Sequence, residues 1–359
     1  MNWLLLLTPV VIYLHITHSA SPTVMFVLAC LAILPLAGWL GHATEHLAAK
    51  TNESIGGLLN ATFGNAAELI IAISALRAGL YDVVKASLTG SIIGNVLLVL
   101  GAAVLVGGLK HKEQRFSAQA ARSQTTLLTL ASISLILPAA FHYLASGVKG
   151  AAELERDLSL EFSVLLLIVY GLSLLFTLRT HKHYFETPAA PEEKAGHGDS
   201  WSLSKSLGIL AAATTAIAIV SEILVHNVES AAATFGMSPV FVGVIVVAIV
   251  GNAAEHSTAI LVAAKNRMDL SLSIAIGSSL QIAIFVAPLL VVLSHFIGPR
   301  PMDLVFSMAE VLAVVISIFI TGQVADDGVS HWMEGVQLLG VYIMLGIIFY
   351  FLPNTLPQH

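Results

Sequence analysis

GLLNATFGNAAELIIAI, residues 57–73, sets Gly64, Asn65 and the carboxylate Glu68 inside an apolar run. Its core, Gly-Asn-Ala-Ala-Glu at 64–68, returns once, at 251–255 within VIVVAIVGNAAEHSTAILVA (244–263). The offset of 187 residues that carries Gly64 to Gly251 also carries Gly90-Ser91 onto Gly277-Ser278. Two blocks that match at one offset, with their internal spacing kept, point to a duplication. Charge at membrane depth costs several kcal/mol, so an ionisable residue in an apolar span is a functional-site hypothesis. This sequence holds two, related by a repeat.

The surrounding composition is that of a membrane protein. Of 359 residues 57% are hydrophobic and 11% charged, with a mean hydropathy of +0.87; soluble proteins carry about 25% charged residues. The single cysteine, Cys30, excludes a disulfide framework or a cysteine-rich metal site. The net charge of −6 is spread over loops and offers no nucleic-acid-binding patch. The first apolar stretch, Trp3 to about Thr17, lacks the basic flank of a signal peptide and reads as a short first span.

A spanning helix needs about 20 mostly apolar residues. That rule predicts eleven spans: 3–18, 24–49, 54–79, 82–109, 123–146, 158–180, 203–227, 238–265, 270–297, 303–321 and 332–352. The longest break, 181–202, contains Pro188, Pro191, three histidines, Glu186, Glu192, Glu193 and Asp199, and reads as a cytoplasmic linker between two halves. With the N-terminus cytoplasmic, the inner loops collect Lys50, Lys110, Lys112, Arg115, Arg122, Arg179, Lys182, Lys194, Lys205, Lys265 and Arg267. The outer loops collect Arg77, Lys85, Lys149, Arg156 and Arg300. The excess of inner basic residues sets this orientation, with the C-terminus outside.

Glu68 falls in the third span and Glu255 in the eighth, so an odd number of reversals separates them and the two copies run antiparallel. Inverted repeats of this kind are a common architecture of secondary transporters, with the ion site near the midplane. The expected fold is therefore an all-α membrane protein of eleven transmembrane helices, one plus two inverted-topology repeats of five. Its parts are an extra N-terminal helix (1–20), a first repeat (21–180), the linker (181–202) and a second repeat (203–359).

Asn65 and Glu68, like Asn252 and Glu255, are three residues apart and share a helix face. Gly64 and Gly251 allow close helix approach or a local break in the helix. The next helices bring Ser91, Ser278 and, one residue triplet beyond Ser278, Gln281. Carboxylate, amide and hydroxyl oxygens form a hard-oxygen set suited to Ca2+ or Mn2+. Two carboxylates facing each other in a low-dielectric site cannot both stay ionised while empty. They bind protons or one divalent cation, and the two occupants exclude each other. That is a proton/divalent antiporter in outline.

Other features are weaker. Thr44-Glu45-His46-Leu47 and Ser221-Glu222-Ile223-Leu224 share a [Ser/Thr]-Glu-x-Leu pattern that puts Glu45 near the inner and Glu222 near the outer end of their spans, each on an access path. His256 adjoins Glu255 as a neighbouring donor or a direct ligand, and Glu310 has no twin. His42-Ala-Thr-Glu45-His46 spells H-x-x-E-H, a zinc-protease pattern that lacks a downstream acidic ligand here. Glu153, Glu155, Asp157 and Glu161 mark an outer loop that attracts cations or is simply wet.

The paired blocks, with GSIIGN (90–95) and GSSLQI (277–282), resemble the signature regions of the cation/proton exchangers, the Ca2+/H+ antiporter branch of the calcium/cation antiporter superfamily. The resemblance runs from about residue 24 to the end. It implies eleven helices exchanging Ca2+ for H+ by alternating access, with no enzymatic activity and no cofactor. It further implies that Glu68 and Glu255 bind Ca2+ and protons in turn, supported by Asn65, Asn252, Ser91, Ser278 and Gln281. Glu45 and Glu222 would stand on the pathways in two long mobile helices, and His256 matches a histidine common at that place. The modest acidity of the linker and the short N-terminus resemble prokaryotic members, hence a plasma-membrane location. The expected partners are Ca2+, protons and lipid; a homo-oligomer is compatible with the sequence. Rival readings are a Na+/Ca2+ exchanger of the same superfamily, an intramembrane zinc metallopeptidase using His42 and His46, and a passive divalent channel.

Overall fold

The computed structural model describes residues 2–51, 53–145, 147–181 and 201–352. Lipid offers the backbone no hydrogen-bond partner, so apolar stretches fold as helices that satisfy themselves. In chain order these are α1 (Leu7–Thr17, entered through a 3-10 turn at Asn2–Leu6), α2 (Pro22–Ala48), α3 (Glu53–Phe63), α4 (Ala66–Arg77), α5 (Tyr81–Lys110) and α6 (Ala118–Leu144). There follow α7 (Ala151–Thr180), α8 (Leu203–Phe235), α9 (the bent pair Pro239–Ala253 and Glu255–Ala263), α10 (Met268–Ile297), α11 (Met308–Val324) and α12 (Trp332–Phe351). Among the described residues, seven helices are long and apolar enough to cross a membrane, or eight with α9 taken as one span. The linker prolines and acidic residues at 186–199 lie outside the described residues.

Helix ends follow local chemistry. Ser21-Pro22 and Ser238-Pro239 each place a hydroxyl cap before a proline; Ser238 Oγ accepts from Phe241 N at 2.9 Å. Ser307 and Glu310 form a reciprocal capping box at the start of α11. α8 runs on past the expected 227 to Phe235, where Gly236 takes the left-handed conformation at φ 66° that ends it. Glu222 therefore stands well inside α8 rather than close to its end.

The third expected span, 54–79, is not one continuous helix. It is two helices, α3 and α4, parted at Gly64-Asn65. Asn65, at φ −101° and ψ 22°, has left the helical region. Glycine is a poor helix former and asparagine competes locally for the backbone, so the ladder fails at this pair. The eighth expected span is bent by 69° between Ala253 and Glu255. Both interruptions occur at the duplicated block.

Segments expected on one side of the membrane touch one another. Among the loops expected inside, β1 (Gln114–Arg115) pairs antiparallel with β2 (Val329–Ser330). There Arg122 Nη2 binds Asp326 Oδ1 at 2.8 Å and Gln114 Nε2 donates to Ala263 O at 2.8 Å. Among those expected outside, Lys85 Nζ binds Asp303 Oδ1 at 2.5 Å and the Tyr81 hydroxyl donates to Arg300 O at 2.6 Å. Away from these caps, α7 turns Leu165, Ile168 and Leu172 outward and α12 turns out Ile343, Met344 and Ile347, all exposed. Apolar side chains at helical spacing on an outer face suit contact with lipid. The long helices α2 and α8 pack along one another, with α9, α4, α3 and α1 against them.

Candidate cation site

The two breaks bring the duplicated residues into the protein centre. Glu68 lies in the first turn of α4, directly after the interruption, and Glu255 opens the second limb of α9. An interrupted helix frees backbone carbonyls and N–H groups inside the bundle, the usual means by which membrane helices line an ion site.

The contacts between the halves are reciprocal. A Cβ placed on Gly64 would stand 3.4 Å from Glu255 Oε1, and one on Gly251 would stand 3.2 Å from Glu68 Cγ. Each carboxylate side chain thus packs against the glycine of the opposite copy. Ser278 Oγ donates to Asn65 Oδ1 at 2.8 Å, and Asn252 Nδ2 donates to Ser91 Oγ at 2.9 Å. Under the 187-residue offset these two bonds map onto each other. Ser279 Oγ donates to the carbonyl of Ile92, its own equivalent at that offset, at 3.1 Å. A residue touching its own counterpart is what a two-fold relation places on its axis.

Asn65 and Asn252 are each 1% exposed, so these amides are committed to the site. Asn65 Nδ2 also donates to Gln281 Oε1 at 2.5 Å. Glu68 and Glu255 lie near enough to repel, and Oε2 of each is buried with no hydrogen-bond partner. Uncompensated buried carboxylate oxygens are costly. Their energetic remedy is a proton or a cation, and the amide and hydroxyl oxygens around them are hard ligands.

Sequence reasoning missed Asn95. Its Nδ2 donates to Ser278 Oγ at 3.1 Å and to Asn252 Oδ1 at 3.4 Å, so it heads the hydrogen-bond chain that runs through both halves. It is fully buried, in a π-helical stretch of α5 (Gly94–Val99). The equivalent turn of α10, Ile282–Val286, is also π-helical. Such bulges re-aim side chains and concentrate at functional sites. The duplication could not point to Asn95, because its counterpart is Ile282; its place in GSIIGN was the available signal. On the sequence expectation of a Ca2+ site at these residues, Asn95→Leu is expected to weaken Ca2+ binding by about tenfold, from lost orientation of Asn252 and Ser278. Titration of purified protein by calorimetry measures that.

A cavity of about 750 Å³ reaches this centre from the end of α2, lined by His42, Glu45, Trp201, Gly64, Gly251 and Glu255 among others. Glu45 thus shares a cavity with Glu255. Glu222 instead meets Arg77 Nη1 at 3.2 Å. His256 Nε2 is buried without a hydrogen-bond partner. Glu310 Oε2 is held by Ser307 N and Oγ at 2.9 and 2.7 Å in the capping box of α11, while its Oε1 is buried without a hydrogen-bond partner. The zinc-protease pattern does not assemble: His46 stacks on Trp201 while His42 leans on Glu45 at 3.5 Å. Among the described residues no group of three or more His, Cys, Asp or Glu gathers around a common point.

The sodium/calcium exchanger protein family matches residues 21–179 and 205–351. The chain belongs to the sodium/calcium exchanger family. Within it, the chain is 45% identical over 364 residues to a Ca(2+)/H(+) antiporter of Aphanothece halophytica, covering 98% of this chain and 96% of the relative. It is 44% identical over 330 residues to the Ca(2+)/H(+) antiporter ChaA of Bacillus subtilis (strain 168), covering 92% of each. The structure of native YfkE superposes with a TM-score of 0.81 at 41% identity, over 96% of this chain and 97% of that one. The H+/Ca2+ exchanger CAX shares the fold, at a TM-score of 0.74 and 13% identity over 97% and 91% of the two chains. The protein is thus a multi-pass, helical membrane member of the exchanger family.

Proposed function

We propose that this protein exchanges Ca2+ for H+ across the plasma membrane by alternating access, the two ions competing for Glu68 and Glu255. The observation that carries the reading is the reciprocal seating of these carboxylates, each against the other copy's glycine and each with a buried oxygen unpartnered. The names borne by relatives at 44% and 45% identity support the choice of ions.

In this reading eleven crossings form one helix plus two inverted sets of five, split by the linker, with the N-terminus cytoplasmic and the C-terminus outside. The matched stretches 21–179 and 205–351 support that division. Cytoplasmic Ca2+ enters past Glu45 through the cavity and is held by Glu68 and Glu255, with Asn65, Asn252, Ser91, Ser278 and Gln281 supplying or orienting oxygens. α2 and α8 then rock, the path at Glu222 opens, and protons from outside displace the ion. The protonated site returns. Neutralising two carboxylates requires at least two protons per Ca2+; Glu45, Glu222 or His256 would carry any third.

Ca2+ flux in sealed vesicles under an imposed pH gradient tests the reading. Uptake is expected to follow the pH gradient and to be indifferent to Na+. Uptake that needs Na+ and ignores pH would mean sodium/calcium exchange instead, and conduction of Ca2+ without proton counterflow would mean a channel.

A further inference from the structure

One feature of the inner mouth belongs to neither duplicated block. Trp201 comes just before α8, at the start of the second half, yet its ring lies on α2 of the first. It stacks on His46 with ring centres 4.4 Å apart and planes at 21°, and on Trp39 at 5.6 Å and 22°. The Lys205 ammonium stands 4.8 Å from the centre of the same ring. Trp39 and His46 are seven residues, roughly two turns, apart and so share one stripe of α2. His42 and Glu45 on the adjacent stripe line the cavity, and so does Trp201 itself. The indole therefore covers two turns of α2 beside the residues that ions pass on their way to Glu255.

We propose that Trp201 is a positioning residue, a stacking latch that fixes the inner end of α2, and with it Glu45, against the start of α8 at the cation cavity's mouth. The inference rests on the exchange reading above. A flat aromatic surface is needed to meet two parallel rings at once. Removing it frees the end of α2 without touching Glu68, Glu255 or their amide partners. The consequence falls on capture of the ion from the inner side and far less on the steps after capture.

Two measurements on the full-length protein test this. In inside-out vesicles, Trp201→Ala is expected to raise the half-saturating inner Ca2+ roughly tenfold while maximal exchange changes less than about threefold, a loss of binding rather than of turnover. Trp201→Phe, which keeps a stacking ring, is expected to fall between. In a protein with Trp3, Trp39 and Trp332 replaced by Phe, Trp201 is the sole tryptophan. Its emission is expected to rise in His46→Ala and to change when Ca2+ is added, with no Ca2+ response in Glu68→Gln. Unaltered half-saturation in Trp201→Ala, or emission blind to both His46→Ala and Ca2+, would overturn the latch. If wild type exchanges and Glu68→Gln does not while Trp201→Ala matches wild type, the latch fails and the exchange reading stands. A wild type that exchanges nothing removes both.

Discussion

Glu68→Gln and Glu255→Gln are each expected to cut Ca2+-dependent proton movement by about a hundredfold or more, a loss of roughly 2.7 kcal/mol. Glutamine keeps the shape and one oxygen of the side chain but neither the charge nor the titratable proton. Glu68 is buried, and its partner lies close enough to repel it. One remaining carboxylate cannot neutralise a divalent cation in a low-dielectric site, and one titrating group cannot balance the return of the carrier. Both substitutions should be severe, because each carboxylate side chain packs against the other copy's glycine at the same centre. Flux in proteoliposomes measures this. Preserved exchange in either variant would mean that the ions travel elsewhere.

The second large effect is on assembly. Gly90→Ala is expected to prevent recovery of folded protein, because a Cβ there would overlap the carbonyl oxygen of Val244 and stand 2.6 Å from its Cα. Those are backbone atoms of α9, so no rotamer change relieves the clash; the helices must separate. Overpacking of side chains costs about 1–3 kcal/mol, and a backbone collision costs more. At the equivalent glycine of the second copy, Gly277, a Cβ would meet nothing within 4 Å. Gly277→Ala is therefore expected to leave the size-exclusion profile and melting temperature unchanged. The contrast between two glycines at matching places in a repeat separates packing from local backbone preference. Equal tolerance at both would show that α5 and α9 do not approach this closely.

The sequence made the carboxylate pair legible because duplication preserves what both copies need. Asn65, Asn252, Ser91 and Ser278 were visible for the same reason, and they meet in crossed pairs. What one copy alone carries stayed hidden. Asn95 has Ile282 as its counterpart in the repeat, and Trp201 sits outside both blocks, so no internal comparison singles them out. Hydropathy located the apolar stretches, but two weak helix formers barely lower the mean of a long window; the interruption at Gly64-Asn65 was legible only from the glycine, which allows a local break. The extension of α8 beyond 227 was missed because Glu229 and the serine and alanine residues after it lower the hydropathy while remaining helical. The short β1–β2 ladder is set by tertiary approach of two loops and has no signature in two-residue segments.

In the proposed exchange, hydrogen ions and the metal displace each other in one cavity. The most direct measurement is proton release from purified protein, in weakly buffered detergent solution, as Ca2+ is added. About two protons per bound Ca2+ are expected near neutral pH, fewer as the pH rises, with the apparent Ca2+ affinity strengthening in step. The release should vanish in the protein carrying both Glu68→Gln and Glu255→Gln. Ca2+ that binds tightly without freeing protons, at an affinity unaffected by pH, would contradict the account.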